Sequence, residues 1–390
     1  MISVEQALAE VFSLVEPSET EEISLIEASG RVLRQPVTAN RDQPPFDGSA
    51  MDGYAVRAPF AAGASFKIIG QTAAGKRFEG RVGDGEAVRI FTGAPIPEGA
   101  THVIIQENVT RKNDLITLDQ TPDSVTHIRP QAQDFAADDQ LSAPRRLRPV
   151  ELALLAAMNC SRLTVSKRPE VAIIGTGDEL VMPGEEPQAD QIIASNAFAI
   201  KAIAEAEGAN ARILPIARDT EASLRAVLEL AQDADIIITI GGASVGDFDL
   251  VGPVYEAMGA RRAFFKVAMR PGKPLMAGRL GRSLILGLPG NPVSSIVCSH
   301  LFLRPALRAM QGLGAYPLPS ASAILTHDMG PNGPRAHYMR AKLGPGPSIT
   351  PLPRQDSALL SVLVEADCLL IRKANDQARK AGEQMRYIPL

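Results

Sequence analysis

Three glycine-rich runs follow three apolar, strand-like runs. Gly175-Thr176-Gly177-Asp178-Glu179 follows residues 171–174, Gly241-Gly242-Ala243-Ser244-Val245-Gly246-Asp247 follows 235–240, and Gly287-Leu288-Pro289-Gly290-Asn291-Pro292 follows 284–286. Glycine at the carboxyl end of a strand lets backbone N–H groups approach an anion, and a helix start just beyond adds a favourable dipole. In the third run Asn291 is a capping residue with Pro292 at the first helical position. Any one of these loops is equally well a plain chain turn; three at the same end of one sheet point to a ligand crevice. None is a GxGxxG or a GxxxxGK[ST] pattern, which disfavours ordinary dinucleotide or P-loop chemistry.

Between the second and third runs lies Lys266-Val267-Ala268-Met269-Arg270-Pro271-Gly272-Lys273-Pro274. Such a loop aims several cations at one phosphate or oxyanion. The opposite charge sits earlier, in Pro44-Pro45-Phe46-Asp47-Gly48-Ser49-Ala50-Met51-Asp52-Gly53-Tyr54-Ala55, followed by Phe91-Thr92-Gly93-Ala94-Pro95-Ile96-Pro97. A carboxylate such as Asp52 suits a hard cation like Mg²⁺, and Asp47 and Asp52 are equally well read as turn residues. His102, His127, His300, His327 and His337 lack zinc spacing, and His300 reads as a core residue. Cys160, Cys298 and Cys368 form no CxxC, and no GxSxG or Cys–His arrangement suggests a hydrolase.

The elements that must position these residues fall into distinct textures. Residues 3–15 carry a Ser3–Gln6 capping box and an apolar face of Val4, Ala7, Leu8, Val11 and Val15, the pattern of an amphipathic helix. Residues 41–144 alternate short β-prone runs with Gly and Pro. Residues 149–158 return to a helix with Pro149 in its first turn. From 170 to about 310, strands and helices alternate, which implies a doubly wound α/β domain with a parallel sheet covered on both faces. The run at 213–216 is an edge strand because of Pro215. The last residues form a small β-barrel domain. The expected domains are 1–40 with 145–169 as an elongated helical linker domain, 41–144 as an inserted β-rich module, 170–312 as the α/β domain and 313–390 as the C-terminal β domain.

The net charge of −4 gives no reason to expect nucleic acid, so an anion site must be built locally. No apolar run reaches the roughly 18 residues a membrane span needs. The N-terminal residues show no signal-peptide pattern and the few cysteines fit a reducing compartment, so a cytoplasmic protein is expected.

Six runs occur in a fixed order: PPFDGSAMDGYA (44–55), FTGAPIP (91–97), GTGDEL (175–180), GGASVGDFD (241–249), MRPGKP (269–274) and GLPGNPVS (287–294). Together they resemble the molybdopterin molybdenumtransferases, the MoeA and gephyrin E-domain family, over the full length. That resemblance implies a homodimer that binds adenylylated molybdopterin in the α/β crevice, delivers molybdate to the dithiolene and releases AMP, using Mg²⁺ or a similar divalent ion. It places the α/β domain in the molybdopterin-binding type. Its functional positions fall on Asp52, Thr92, Asp134, Glu179, Asp219, Asp249, Lys266 and Arg270, with Pro289, Pro292 and Ser357. The crevice residues Gly175, Thr176, Gly177, Gly241, Gly242, Ser244, Lys273, Gly290 and Asn291 complete the expected binding set.

Two departures stand out. The segment at Asp134 reads Gln131-Ala132-Gln133-Asp134 where the family often has Gly-Glu-Asp, and Arg270 stands where some members have Lys. The residues and the resemblance agree on a mechanism in which Asp52 or Glu179 holds the metal and Lys266, Arg270 and Lys273 hold phosphate or molybdate. The chain lacks a second α/β domain, so the preceding adenylylation falls to a separate molybdopterin adenylyltransferase. Apo-molybdoenzymes or their chaperones are the expected recipients. The alternatives are a pterin adenylyltransferase-like enzyme and a non-catalytic dimeric scaffold. The resemblance also implies that one subunit's β module and the other's α/β domain share each cleft.

Overall fold

The computed structural model describes residues 1–120, 124–242 and 251–390. The chain divides into two compact units: Met1–Glu21, Gly30–Arg34 and Val165–Leu390 form one, and Glu22–Ser29 with Gln35–Thr164 form the other.

The second unit is built on a six-stranded sheet ordered His102–Ile105, Gly53–Val56, Glu86–Ile90, Ser65–Thr72, Leu115–Leu118, Val109–Lys112. All neighbours are antiparallel except Ser65–Thr72 beside Glu86–Ile90. Alternation sorts the Gly53–Val56 side chains: Tyr54 and Val56 join Phe66, Ala87, Ile104 and Ile116 on one face, while Ala55 packs with Ile90, Ala94 and Val103 on the other. The helix Pro149–Ala157 starts with Pro149, as its sequence requires, and Glu151 caps it through the Arg148 N–H at 3.0 Å.

In the first unit a six-stranded sheet runs Asn210–Ile213, Glu170–Gly175, Ile236–Ile240, Ser283–Leu288, Met276–Leu280, Arg261–Phe265. The first four strands are parallel and the last two antiparallel. The doubly wound expectation therefore holds for the part that carries the glycine loops and gives way to a meander at one edge. Met276–Leu280 is the strand its sequence hides, because Gly278 interrupts it. A Cβ there would sit 2.6 Å from the Arg261 carbonyl oxygen, so this glycine permits the close approach of the edge strand. The other edge strand stops at Ile213, before Pro215.

Successive side chains of the central strands feed two cores. Val171, Ile173, Ile236, Ile238, Leu284 and Leu286 face one layer, and Ala172, Ile174, Ile237 and Ile285 face the other. The first layer includes helix Val4–Leu14 through Val4, Ala7, Leu8 and Val11. Its Ser3–Gln6 capping box forms as its sequence requires, with Gln6 N–H to Ser3 Oγ at 3.1 Å. Thr220 caps Glu221–Glu229 on the opposite layer.

The C-terminal strands Ala336–Leu343, Ser348–Pro351, Ala321–Leu325, Gln384–Pro389 and Cys368–Arg372 pair in that order, and Ala336–Leu343 pairs again with Cys368–Arg372. The ring closes into a five-stranded barrel around Ala323, Leu325, Ala341, Ile349, Cys368, Leu370 and Met385. The short strand Met269–Arg270 joins its outside, parallel to Ala336–Leu343. All three cysteines are buried and free, and burial pushes the Cys368 thiol up to about 12. Among the described residues no helix is long and apolar enough to cross a membrane.

Candidate active site

Parallel register brings the glycine loops to one level. Gly175 lies opposite Ile240, and Ile240 lies opposite Leu288. The chain leaves all three strands at the same edge. Thr176 ties the first loop to the second, donating from its N–H and Oγ to the Ile240 carbonyl at 3.0 and 3.2 Å. Gly241 donates to Leu288 O at 3.0 Å and ties the second to the third. At Gly241 the φ is +94°, and a Cβ would meet the Thr176 carbonyl oxygen at 2.9 Å, so both backbone conformation and space demand glycine.

These loops line a cavity of about 650 Å³, with Gly175, Thr176, Glu179, Gly241, Gly242, Pro274, Pro289, Gly290, Asn291 and Pro292 in its wall. That volume suits a small-molecule ligand. Asn196, at the start of helix Asn196–Ala206, donates to Gly290 O at 2.7 Å and fixes the third loop from the side. Asn291 caps the Pro292–Cys298 helix by position, but its amide turns outward to Ser357 Oγ at 2.9 Å. Val293 N–H donates to Ser357 O at 3.1 Å. Ser357 is thus brought to the edge of the crevice. Gly177, at φ +141°, underlies the exposed Glu179 carboxylate, which any Cβ would strike.

Asp219 does not line the cavity. Its N–H caps Asp178 at 3.2 Å, and its carboxylate makes no bond among the described residues. Lys266 and Arg270 also lie outside the cavity wall, whereas Lys273 is exposed beside Pro274, which lines it. Lys266 Nζ stands 4.9 Å from the Phe265 ring centroid. Neither Arg270 nor Lys273 makes a side-chain hydrogen bond or ion pair among the described residues, so both cations are open to a ligand. Ser244 and Asp249 lie outside the described residues.

In the other unit, antiparallel pairing of Gly53 with Ile90 sets Asp52 across from the turn that follows the partner strand. Gly53 has no room for a side chain, since a Cβ would fall 1.9 Å from Ile104 O. Asp52 Oδ1 accepts from Thr92 N–H at 2.7 Å and Thr92 Oγ at 2.8 Å. The Thr92 backbone and hydroxyl bonds hold the Asp52 carboxyl below its ordinary range, so it is ionised at neutral pH. Arg89 braces this corner: its guanidinium stacks between the Tyr54 and Phe91 rings at 4.9 and 4.8 Å and donates to Gly53 O at 3.1 Å. Asp47, by contrast, is a turn residue that accepts from Gln131 N–H at 2.8 Å. Asp134 is exposed and its carboxylate has no partner among the described residues.

No group of three His, Cys, Asp or Glu side chains gathers for a metal among the described residues. Asp52 nevertheless fits a hard cation: it is ionised, and Thr92 occupies only one of its oxygens. Mg²⁺ commonly takes one or two carboxylates and fills its shell with water and substrate phosphate. Glu179 offers the same donor chemistry at the crevice wall.

Sequence reasoning missed Arg340 and His337. Arg340 is 1% exposed; its guanidinium donates to the carbonyls of Asp356 and Arg354 at 3.0 and 3.2 Å, the charge of Asp356 favours its protonated form, and its Nε has no hydrogen-bond partner among the described residues. His337, 7% exposed, has an unpartnered Nε2 and sits in register with Arg270. The only hint in the sequence is their polarity within an otherwise β-like run.

Residues 2–159 match the MoeA N-terminal region (domains I and II), 172–309 a probable molybdopterin binding domain, and 322–390 the MoeA C-terminal region (domain IV). The molybdopterin molybdenumtransferase of Haemophilus influenzae is 33% identical, with 100% of this chain and 98% of the relative covered. The chain belongs to the molybdopterin molybdenumtransferase family. The Nostoc member is 35% identical over 88% of this chain and 82% of its own. A crystal structure of the MoeA protein of Pyrococcus horikoshii superposes with a TM-score of 0.86 at 26% identity, and both chains are fully covered. The chain is accordingly an enzyme, a transferase of molybdenum-cofactor biosynthesis.

Proposed function

We propose that this protein inserts molybdate into adenylylated molybdopterin and releases AMP. The observation that carries this reading is the crevice: three glycine loops, in register at one sheet edge, line a ligand-sized cavity beside which Lys273 stands exposed next to the lining Pro274. Backbone N–H groups and positive charge suit the phosphates of the adenylylated pterin. Lys266, Arg270 and Lys273 hold phosphate or molybdate and offset negative charge as the phosphoanhydride is cleaved and oxo groups give way to the two dithiolene sulfurs. Asp52 or Glu179 holds Mg²⁺, which when bound screens phosphate charge. Asp52 needs no proton removed to serve, since Thr92 keeps it ionised. Asp134, Asp219 and Asp249 complete the proposed acidic set.

The protein is read as a cytoplasmic homodimer that receives its substrate from a separate adenylyltransferase and passes its product to apo-molybdoenzymes or their chaperones. Purified protein given adenylylated molybdopterin, Mg²⁺ and molybdate releases AMP and yields cofactor that activates an apo-molybdoenzyme. Failure of both readouts with verified substrate overturns the assignment. The homodimer reading places Asp52 and Lys266 of one site on different chains. Mixing Asp52→Ala with Lys266→Ala protein and allowing subunit exchange then restores roughly a quarter of wild-type activity, as two-fold symmetry requires. No recovery after confirmed exchange rules out the shared site.

A further inference from the structure

Asp52 and Thr92 sit on two separate segments, just outside the strands that carry them. Asp52 precedes Gly53–Val56, and Thr92 follows Glu86–Ile90. The ladder between those strands ends at the pair of Gly53 with Ile90, so sheet pairing alone does not fix the two residues beyond it. Their hydrogen bonds at 2.7 and 2.8 Å require both segments to be held.

Arg89 spans this gap. It lies directly opposite Tyr54, so the two side chains rise on the same face of the sheet. Its guanidinium stands 4.9 Å from the centre of the Tyr54 ring and 4.8 Å from that of the Phe91 ring. One terminal nitrogen donates to the Gly53 carbonyl at 3.1 Å, and the other donates to the Gln106 side-chain oxygen. Gln106 in turn donates its N–H to the Asp52 carbonyl at 3.1 Å. Arg89 therefore touches the residue after Asp52, the residue before Thr92 and the residue that holds the Asp52 backbone. It makes no ion pair among the described residues. Its partners are two rings and two neutral oxygens, which makes its role here positional. A planar, forked cation meets rings on its faces and acceptors at its edge at the same time; a point charge on a flexible stem does not.

We propose that Arg89 is the positioning residue of the acidic corner: it holds the Asp52 and Thr92 segments in the alignment that leaves the second Asp52 oxygen to a divalent cation, and so sets the affinity for that cation. This rests on the reading above that Asp52 holds Mg²⁺. The effect is separable from folding and from pterin binding. The glycine crevice is built by other segments, so at saturating Mg²⁺ the loss of Arg89 leaves the KM for the pterin near its wild-type value.

The test compares full-length wild type, Arg89→Met, Arg89→Lys and Asp52→Ala. Met keeps an apolar body between the rings and has neither charge nor donors. Two quantities are measured: AMP release against Mg²⁺ concentration at saturating adenylylated molybdopterin, and hydrogen exchange of the Thr92 amide without metal or substrate. Arg89→Met needs about 10–100-fold more Mg²⁺ for half its maximal rate, the range in which residues that orient a metal ligand act. It recovers most of its kcat when Mg²⁺ saturates, and its Thr92 amide exchanges faster. Arg89→Lys falls between the two. Asp52→Ala loses the Mg²⁺ response. Arg89→Met that matches wild type in either measurement, beside an Asp52→Ala without response, overturns the positioning role alone. Asp52→Ala that keeps its Mg²⁺ response overturns the metal reading of Asp52 and this inference with it. If Arg89→Met unfolds, Arg89→Lys decides: a shifted Mg²⁺ response at unchanged melting temperature supports the role, and wild-type behaviour in both measurements overturns it.

Discussion

The Asp52 corner and the Arg270 row both present charge, and they hold it in opposite ways. At Asp52 the protein supplies the partners. Two donors from Thr92 fix one carboxylate oxygen, and Arg89 locks the turn between two aromatic rings. At Arg270, His337 and Arg340 it supplies fewer: Arg270 is exposed without a side-chain partner, and the buried His337 Nε2 and Arg340 Nε have no hydrogen-bond partner among the described residues. A charge stabilised from within is ready before the ligand arrives. A charge left uncompensated is stabilised only by what binds, and its state changes when binding occurs.

The largest expected effect breaks the first half of that contrast. Asp52→Ala lowers AMP release by about 100-fold or more, the scale on which single electrostatic groups act in catalysis. Its melting temperature stays close to wild type. A large fall in melting temperature with modest loss of activity instead marks Asp52 as a structural turn residue. Gly241→Ala comes next. It forces a side chain into a left-handed backbone position against Thr176, and chemical denaturation reads a loss of about 1–3 kcal/mol. Unchanged stability removes the steric argument for the crevice.

Arg270→Ala weakens molybdate binding about tenfold, as loss of one partly solvated charge contact does, and wild-type binding weakens between 50 and 200 mM salt, both in this order-of-magnitude sense. Arg270→Lys recovers only part of the affinity, because a point charge replaces a planar fork. Salt-independent binding refutes the clamp. The smallest effect is the acid response of the Asp52 corner. Its folded pKa lies below the ordinary 3.8, so the contribution of the carboxylate to stability is complete above that value and is lost as the pH falls through the folded pKa. Wild type and Asp52→Asn therefore differ in acid stability only near and below pH 4, in the sense that the wild type loses more on acidification.

The same contrast explains what was legible in the sequence. The glycine crevice announces itself because each strand and its loop are contiguous in the chain, although the helix start expected after each loop follows directly only at Pro292–Cys298 and the first loop leads into the strand Leu180–Val181; the common level of the loops had to come from the sheet. The Ser3–Gln6 box and Pro149 are local signals and behave as such. The mixed edge was hidden because Gly278 disguises a strand whose reason for glycine is a neighbour's carbonyl. His337 and Arg340 look like two polar residues in a β-like run, because what they meet lies on distant segments: His337 is in register with Arg270 and Arg372, and Arg340 reaches the Asp356 and Arg354 carbonyls. Asp219 lies between two of the family runs in sequence, and its N–H serves Asp178 while its side chain stays outside the cavity wall. Ser357 acquires a place at the crevice through Asn291 and the Val293 N–H.

The closed barrel has a consequence for the order of assembly. The pairing that levels the glycine loops and the pairing that sets Arg270 against His337 close loops of similar length, since Val171 meets Ile236 and Arg270 meets His337. The strand bearing His337 is fixed on its other side by Cys368–Arg372, so the barrel cannot close until its last strands are present. In a chain made from its N-terminus, all three glycine loops are therefore synthesised before the barrel can close.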